Sequence, residues 1–271
     1  MSPILEARNI DYRTGGRMLI EGINLSIESG TLTIVIGPNG AGKSTLLRVL
    51  CGELPPAHGE VRLNGSSIHA IPTWRLAHSR AVMPQASELG FPFSAFEVAH
   101  LGVEGIGRGL SHHDRQRIVL DALEQADVGH LAHRNYQTLS GGERQRVHFA
   151  RVLAQLNAGR SIETRQVLFL DEPIASLDLK HQLALMNKAQ TLSRQGLTII
   201  AVLHDLQLAA DTGDTLVLLQ AGRLIAQGKA DTVLSPDRLS EVFGVSLVPQ
   251  SLPPSPWKLT LQNNWPGAAQ N

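Results

Sequence analysis

Three short stretches of this chain carry residue types suited to handling phosphate. Gly37-Pro38-Asn39-Gly40-Ala41-Gly42-Lys43-Ser44 fits the pattern G-x-x-x-x-G-K-[ST]. Glycines let a backbone wrap closely around phosphate oxygens with its N–H groups turned inward. A helix starting there adds the partial positive charge of its N-terminus. In such a loop Lys43 reaches the β- and γ-phosphates of a nucleotide, and the Ser44 hydroxyl ligates Mg2+. The second stretch, Val167-Leu168-Phe169-Leu170-Asp171-Glu172, delivers two carboxylates at the end of an apolar run, the edge at which open α/β sheets bind ligands. Asp171 is the expected Mg2+ partner, largely through water, and Glu172 the expected general base for an attacking water. Acidic strand ends are common, and this one gains its weight from the phosphate loop upstream. The third is Leu139-Ser140-Gly141-Gly142-Glu143. Ser140 can cap the helix that follows, and Ser140 with the glycine N–H groups can also receive a γ-phosphate. Alone, the stretch reads as an ordinary helix cap.

These residues need elements to hold them. Thr31–Ile36 is a β-branched apolar run that ends at Gly37, and Lys43–Cys51 has a helical pattern, so the phosphate loop lies between a strand and a helix, as its chemistry requires. Residues 3–10 and 23–28 alternate apolar and polar, as half-buried strands do. Gly59–Leu63 reads as a further strand closed by the turn dipeptide Asn64-Gly65. Residues 73–80 and 113–126 look helical, with Phe91-Pro92-Phe93 in a loop-rich segment between them. Gly142–Leu156 places Val147, Ala150, Val152 and Leu153 close to an amphipathic helix pattern. Gln166–Leu170 and Leu197–Leu203 read as buried strands, the latter followed by a helix through Ala210. Thr215–Leu219 and Arg223–Ala226 form a hairpin around Ala221-Gly222. Strands alternating with helices imply an α/β core with a largely parallel sheet. An α-helical lobe over approximately 73–156 interrupts it. Residues 1–248 are expected to form one domain, and the proline-rich Pro249–Asn271, with Trp257 and Trp265, a surface tail.

Composition narrows the function classes. Lys plus Arg is 24 and Asp plus Glu is 24, a formal net charge of +0, so there is no basic excess for nucleic acid or for a polybasic membrane anchor. Hydrophobic residues make up 42%, enough for a real core. Cys51 is the single cysteine, which excludes an internal disulfide and a cysteine-rich zinc cluster and fits a reducing compartment. The first residues carry acidic groups and no apolar run, unlike a signal peptide. The longest apolar runs are far shorter than a membrane span, so any work at a membrane needs another subunit to cross it.

LSGGERQR, taken with the phosphate loop and VLFLDEP, resembles the ABC ATPases, whose signature motif the LSGGE stretch matches. The resemblance extends over roughly Ile4 to Val248. It implies a P-loop NTPase (RecA-like) core with a mainly parallel sheet, an N-terminal antiparallel β part and the inserted helical lobe. It further implies ATP and Mg2+ held by Gly37, Pro38, Asn39, Gly40, Ala41, Gly42, Lys43, Ser44 and Thr45. Tyr12 matches the aromatic that stacks on adenine. Gln85 matches the glutamine that senses Mg2+ and the attacking water and links to the permease. Ser176-Leu177-Asp178 matches the loop that crosses the dimer interface, and His204 the switch histidine that contacts the γ-phosphate. On this resemblance Lys43, Gln85, Glu172 and His204 are the catalytic set, and Ser44, Gln85 and Asp171 the metal set. ATP is buried head-to-tail between the P-loop of one copy and Ser140, Gly141 and Gly142 of a second. Ile174 stands where the family usually has Thr, and Glu143 where Gln is commoner. Neither removes a catalytic group.

Ala86–Gly102 follows Gln85, in the region that meets the permease's coupling helices in the family it resembles. Phe91-Pro92-Phe93 there, the link Gln155–Arg165 (longer than usual, and readable as a surface insertion) and the ending GKADTVLSPDRLSEVFGV resemble the ATPase subunits of bacterial hemin importers, part of a wider group that imports iron–siderophores and vitamin B12. That resemblance implies a polytopic permease dimer as partner, a periplasmic binding protein acting indirectly, no nucleic acid, and a peripheral place on the cytoplasmic face of the bacterial inner membrane. His112-His113 reads as a solvated pair, since this subunit need not touch cargo. Import of siderophore or vitamin B12, or a soluble non-transport ABC ATPase such as an iron–sulfur assembly factor, are the alternatives.

Overall fold

The computed structural model describes residues 3–85 and 90–244. The proline-rich tail with Trp257 and Trp265, and Ala86–Leu89 at the start of the segment read as permease-facing, lie outside them. The chain opens with a long antiparallel hairpin, β1 (Leu5–Thr14) and β2 (Arg17–Ile27), turned by Gly15-Gly16 at positive φ. Both strands outrun the alternating stretches 3–10 and 23–28, because exposed polar positions near the hairpin tip pair without burying a face. Next come β3 (Leu32–Ile36), α1 (Lys43–Leu50), β4 (His58–Leu63) and the short β5 (Ser66–Ser67). The four N-terminal strands other than β3 form an antiparallel sheet in the order β2-β1-β4-β5.

A helix α2 (Thr73–Ser79) runs directly into β6 (Arg80–Met83), a strand that the sequence pattern did not separate from its helical surroundings. Four residues are too few to show a period. β6 nonetheless joins the core sheet, so the segment 73–156 contains a core strand as well as helices. The helices α3 (Ala95–Glu104), α4 (His112–Gln125) and α5 (Gly141–Gly159) pack on one another as the helical lobe. α3 and α5 open with capping boxes, Ser94/Glu97 and Ser140/Glu143, and Ser111 caps α4. His112 and His113 are exposed on α4. The stretch 155–159, read as part of a linker, is the last turn of α5. Gln155 secures it by donating to the Ala77 and Arg80 carbonyls at 3.0 and 2.9 Å.

The chain then alternates β7 (Val167–Asp171), α6 (Leu179–Arg194), β8 (Thr198–Val202), α7 (Leu206–Thr212), β9 (Thr215–Gln220) and β10 (Arg223–Gly228), and ends in α8 (Ala230–Val233) and α9 (Pro236–Phe243). The second sheet has the order β10-β9-β3-β8-β7-β6. Every neighbouring pair is parallel except β9–β10. β3, β7 and β8 are buried at every residue, as parallel strands covered on both faces must be. Ile34, Leu168, Leu170 and Ala201 face the core shared with α3–α7, whereas Val35, Phe169, Ile200 and Val202 face α1 and the antiparallel sheet.

Candidate functional site

Four parallel strands side by side deliver their chain ends to one edge. Met83 pairs with Leu170, Asp171 with Val202, and Val202 with Val35. Gln85, Glu172, His204 and Gly37 each follow one of these positions within two residues, so residues far apart in sequence gather at the carboxyl ends of the strands.

The phosphate loop is shaped by its contacts. Gly37 is at φ 148°, and a Cβ there would run into the Leu219 carbonyl. Gly42, at φ 96°, would push its Cβ against Ile20 Cδ1 and the Leu19 carbonyl, each at 2.9 Å. The Gly222 N–H, in the turn after β9, donates to the Ala41 carbonyl at 3.0 Å and clips the loop from the far side. Whereas α3 through α7 start on a side-chain cap, α1 starts on Gly42 with none and carries no acid in its first turn. Its opening N–H groups, in the turn that holds Ser44 and Thr45, suit an anion. Lys43 is buried, and its Nζ donates to the Gly37 and Pro38 carbonyls at 2.8 and 2.9 Å, which lays the ammonium across the loop. Burial pushes Lys43 below the usual lysine value, opposed by the Glu172 and Asp171 carboxylates. Asn39 and Gly40 are exposed at the loop tip.

Asp171 is also buried, which raises its carboxyl above the usual range. The Ser44 hydroxyl opposes that shift by donating to Asp171 Oδ1 at 2.9 Å. Glu172 is the meeting point of the edge. Gln85 Nε2 donates to its Oε2 at 2.6 Å, and His204 Nε2 bonds its Oε1. Glu172 also sits at φ 50°, a left-handed conformation a side chain adopts only where its surroundings impose it.

The remaining candidates lie around this edge or away from it. Tyr12, on β1, is half-buried against the core and pairs with Ile20, the residue that touches Gly42. Ser140 is exposed at the start of α5 and engaged as its cap. Its N–H donates to Glu143 Oε2 at 2.7 Å and its Oγ accepts from the Glu143 N–H at 3.3 Å. Gly141 and Gly142 lie against Ser176 and Leu177. Asp178 is exposed and caps α6, accepting from the His181 N–H at 2.9 Å. The structure thus brings together the P-loop, Asp171, Glu172, Gln85 and His204, and joins the Ser140 turn to Ser176–Asp178. The hydrogen bonds of Ser140 and Asp178 stay within their own helix starts.

One neighbour escaped the sequence reading. Gln145 Nε2 donates to the Glu172 carbonyl at 3.3 Å from the buried side of α5. Its signal was a glutamine on the stripe that includes Phe149 and Val152.

The ABC transporter family matches residues 20–175. The chain belongs to that family. Relatives within it include the Hemin import ATP-binding protein HmuV of Hahella chejuensis, 48% identical over 84% of this chain and 88% of that one. The protein of the same name in Pseudomonas aeruginosa is 46% identical over 92% of this chain and 96% of its own length. Among solved structures, the dimeric bacterial ABC transporter cassette MJ0796 superposes with a TM-score of 0.73 at 25% identity, over 83% of this chain and 98% of that one. The chain is therefore an ATP-binding, ATP-hydrolysing ABC subunit, and the parallel sheet with its antiparallel partner is the ABC cassette fold.

Proposed function

We propose that two copies of this chain clasp ATP and Mg2+ head-to-tail and hydrolyse the ATP to drive hemin import through a membrane permease. The observation that carries the reading is the convergence of Gln85 and His204 on the Glu172 carboxylate, beside the Ser44–Asp171 pair. Glu172 takes a proton from the attacking water, with Gln85 orienting that water and His204 contacting the γ-phosphate. Lys43 grips the β- and γ-phosphates. Ser44 and Asp171 present hard oxygen donors, the type Mg2+ selects, where the Lys43 ammonium offsets only one of the two carboxylates in its field; they fit the ion and, with Gln85, would hold it. Bound there, Mg2+ would supply charge neutralisation for the phosphates. Tyr12 stacks on the adenine. Ser140, Gly141 and Gly142 of the second copy close on the γ-phosphate, and Asp178 crosses between the copies. The exposure of Ser140 and the dimeric state of the solved relative support this pairing. Loss of the γ-phosphate removes contacts specific to the closed pair and lets it open.

Hemin as cargo is supported by relatives named for hemin import at 41% to 48% identity. Among the described residues no helix is long and apolar enough to cross a membrane. The hemin-import relatives support placing the chain on the cytoplasmic face of the inner membrane, against a polytopic permease dimer that a periplasmic binding protein feeds. The test is reconstitution with the neighbouring-gene permease and binding protein in vesicles. Phosphate release should rise with heme and not with an iron–siderophore or vitamin B12. Stimulation by either of the latter and not by heme would reassign the cargo.

A further inference from the structure

Glu172 is held through its backbone as well as its carboxylate. A left-handed conformation at a non-glycine residue is strained, and something nearby must keep the chain from relaxing. The Glu172 carbonyl accepts from two groups, the Ala175 N–H and Gln145 Nε2, each at 3.3 Å. The first lies within the same turn and would move with it. The second comes from a different element, α5, and is anchored independently. Gln145 is 9% exposed and shares a helix face with Phe149, so its amide has no ready path to solvent.

We propose that Gln145 is a positioning residue for ATP hydrolysis: its amide fixes the Glu172 carbonyl, keeps that residue left-handed, and so aims the carboxylate at Gln85 and His204. Gln145 touches no reacting atom. The proposal rests on Glu172 being the general base.

The test compares Gln145→Met, which keeps length and burial but loses the donor, with the wild-type chain in a steady-state ATPase assay. The kcat should fall about tenfold, the effect of losing one net hydrogen bond to the reacting geometry. The KM for ATP and the thermal midpoint should stay at wild-type values. Gln145→Asn, a methylene too short to reach, should behave alike and carries the test if the Met variant folds poorly. Combined with Glu172→Gln, Gln145→Met should cause no further loss. An unchanged kcat in both variants overturns the proposal, and so does a fall that comes with a matching loss of thermal midpoint or a matching rise in KM. Failure of the underlying reading is visible separately, as wild-type hydrolysis by Glu172→Gln alone.

Discussion

Glu172 and its neighbours show how much chemistry depends on single atoms at this edge. Asp171 and Glu172 are consecutive carboxylates at the end of a buried strand, and Lys43 is an ammonium within their field. Burial works against all charge here, raising Asp171 and lowering Lys43. Ions of opposite sign must therefore gather for the site to stay charged. Glu172 adds a proton acceptor to that arrangement. Glu172→Gln keeps the size and a hydrogen-bonding oxygen but cannot take a proton. Phosphate release should fall by roughly 10²–10⁴-fold, the usual contribution of a general base, while ATP still binds. Size-exclusion chromatography with ATP should then show a trapped dimer. Near-normal turnover would remove Glu172 from the role of base.

At the scale of elements, close helix approach builds the lobe that carries Ser140. Gly102 of α3 faces α5 so closely that a Cβ there would strike the Arg151 carbonyl and lie 3.2 Å from the Gln155 N. Both are backbone atoms of the facing helix, which cannot rotate aside as a flexible side chain would. Gly102→Ala should therefore destabilise the chain by about 1–3 kcal/mol, the range for overpacking, despite alanine's better helix propensity. A urea midpoint lowered with the slope unchanged would fit this origin. An unaltered or raised midpoint would mean that α3 and α5 can separate without cost. Because Gly102 is remote from the phosphate loop, ATP affinity per folded molecule should be unaffected.

For the whole molecule, the phosphate loop ties its layers together. Gly42 abuts Ile20 of the antiparallel sheet, Gly37 abuts Leu219 of β9, and Ser44 reaches Asp171 of β7. A ligand in that loop bridges both sheets and can bind only the folded chain. ATP with Mg2+ at one hundred times its Kd should stabilise the fold by about 2.7 kcal/mol. For a chain of this size that is roughly 5–10 °C in thermal midpoint. Lys43→Ala should abolish most of the shift, because it removes the buried ammonium that lies across the phosphate loop. An equal shift in that variant, read by scanning fluorimetry, would place the nucleotide elsewhere.

The sequence by itself determined the chemistry whose parts are contiguous: the loop from Gly37 to Ser44, the carboxylates after Leu170, and the helix cap at Ser140. Each depends on backbone conformations that neighbouring residues set. It also marked β3, β7 and β8, whose unbroken apolar runs only a doubly covered strand explains. Tertiary structure decided what meets across distance. Gln85 reaches Glu172 from 87 positions away and His204 from 32, because parallel pairing set the strand order β3-β8-β7-β6. No local period encodes that order. The same non-local pairing turned Arg80–Met83 into a core strand, and the packing of α5 brought Gln145 beneath the Glu172 carbonyl. Short strands and buried amides take their meaning from partners that the chain meets only once folded.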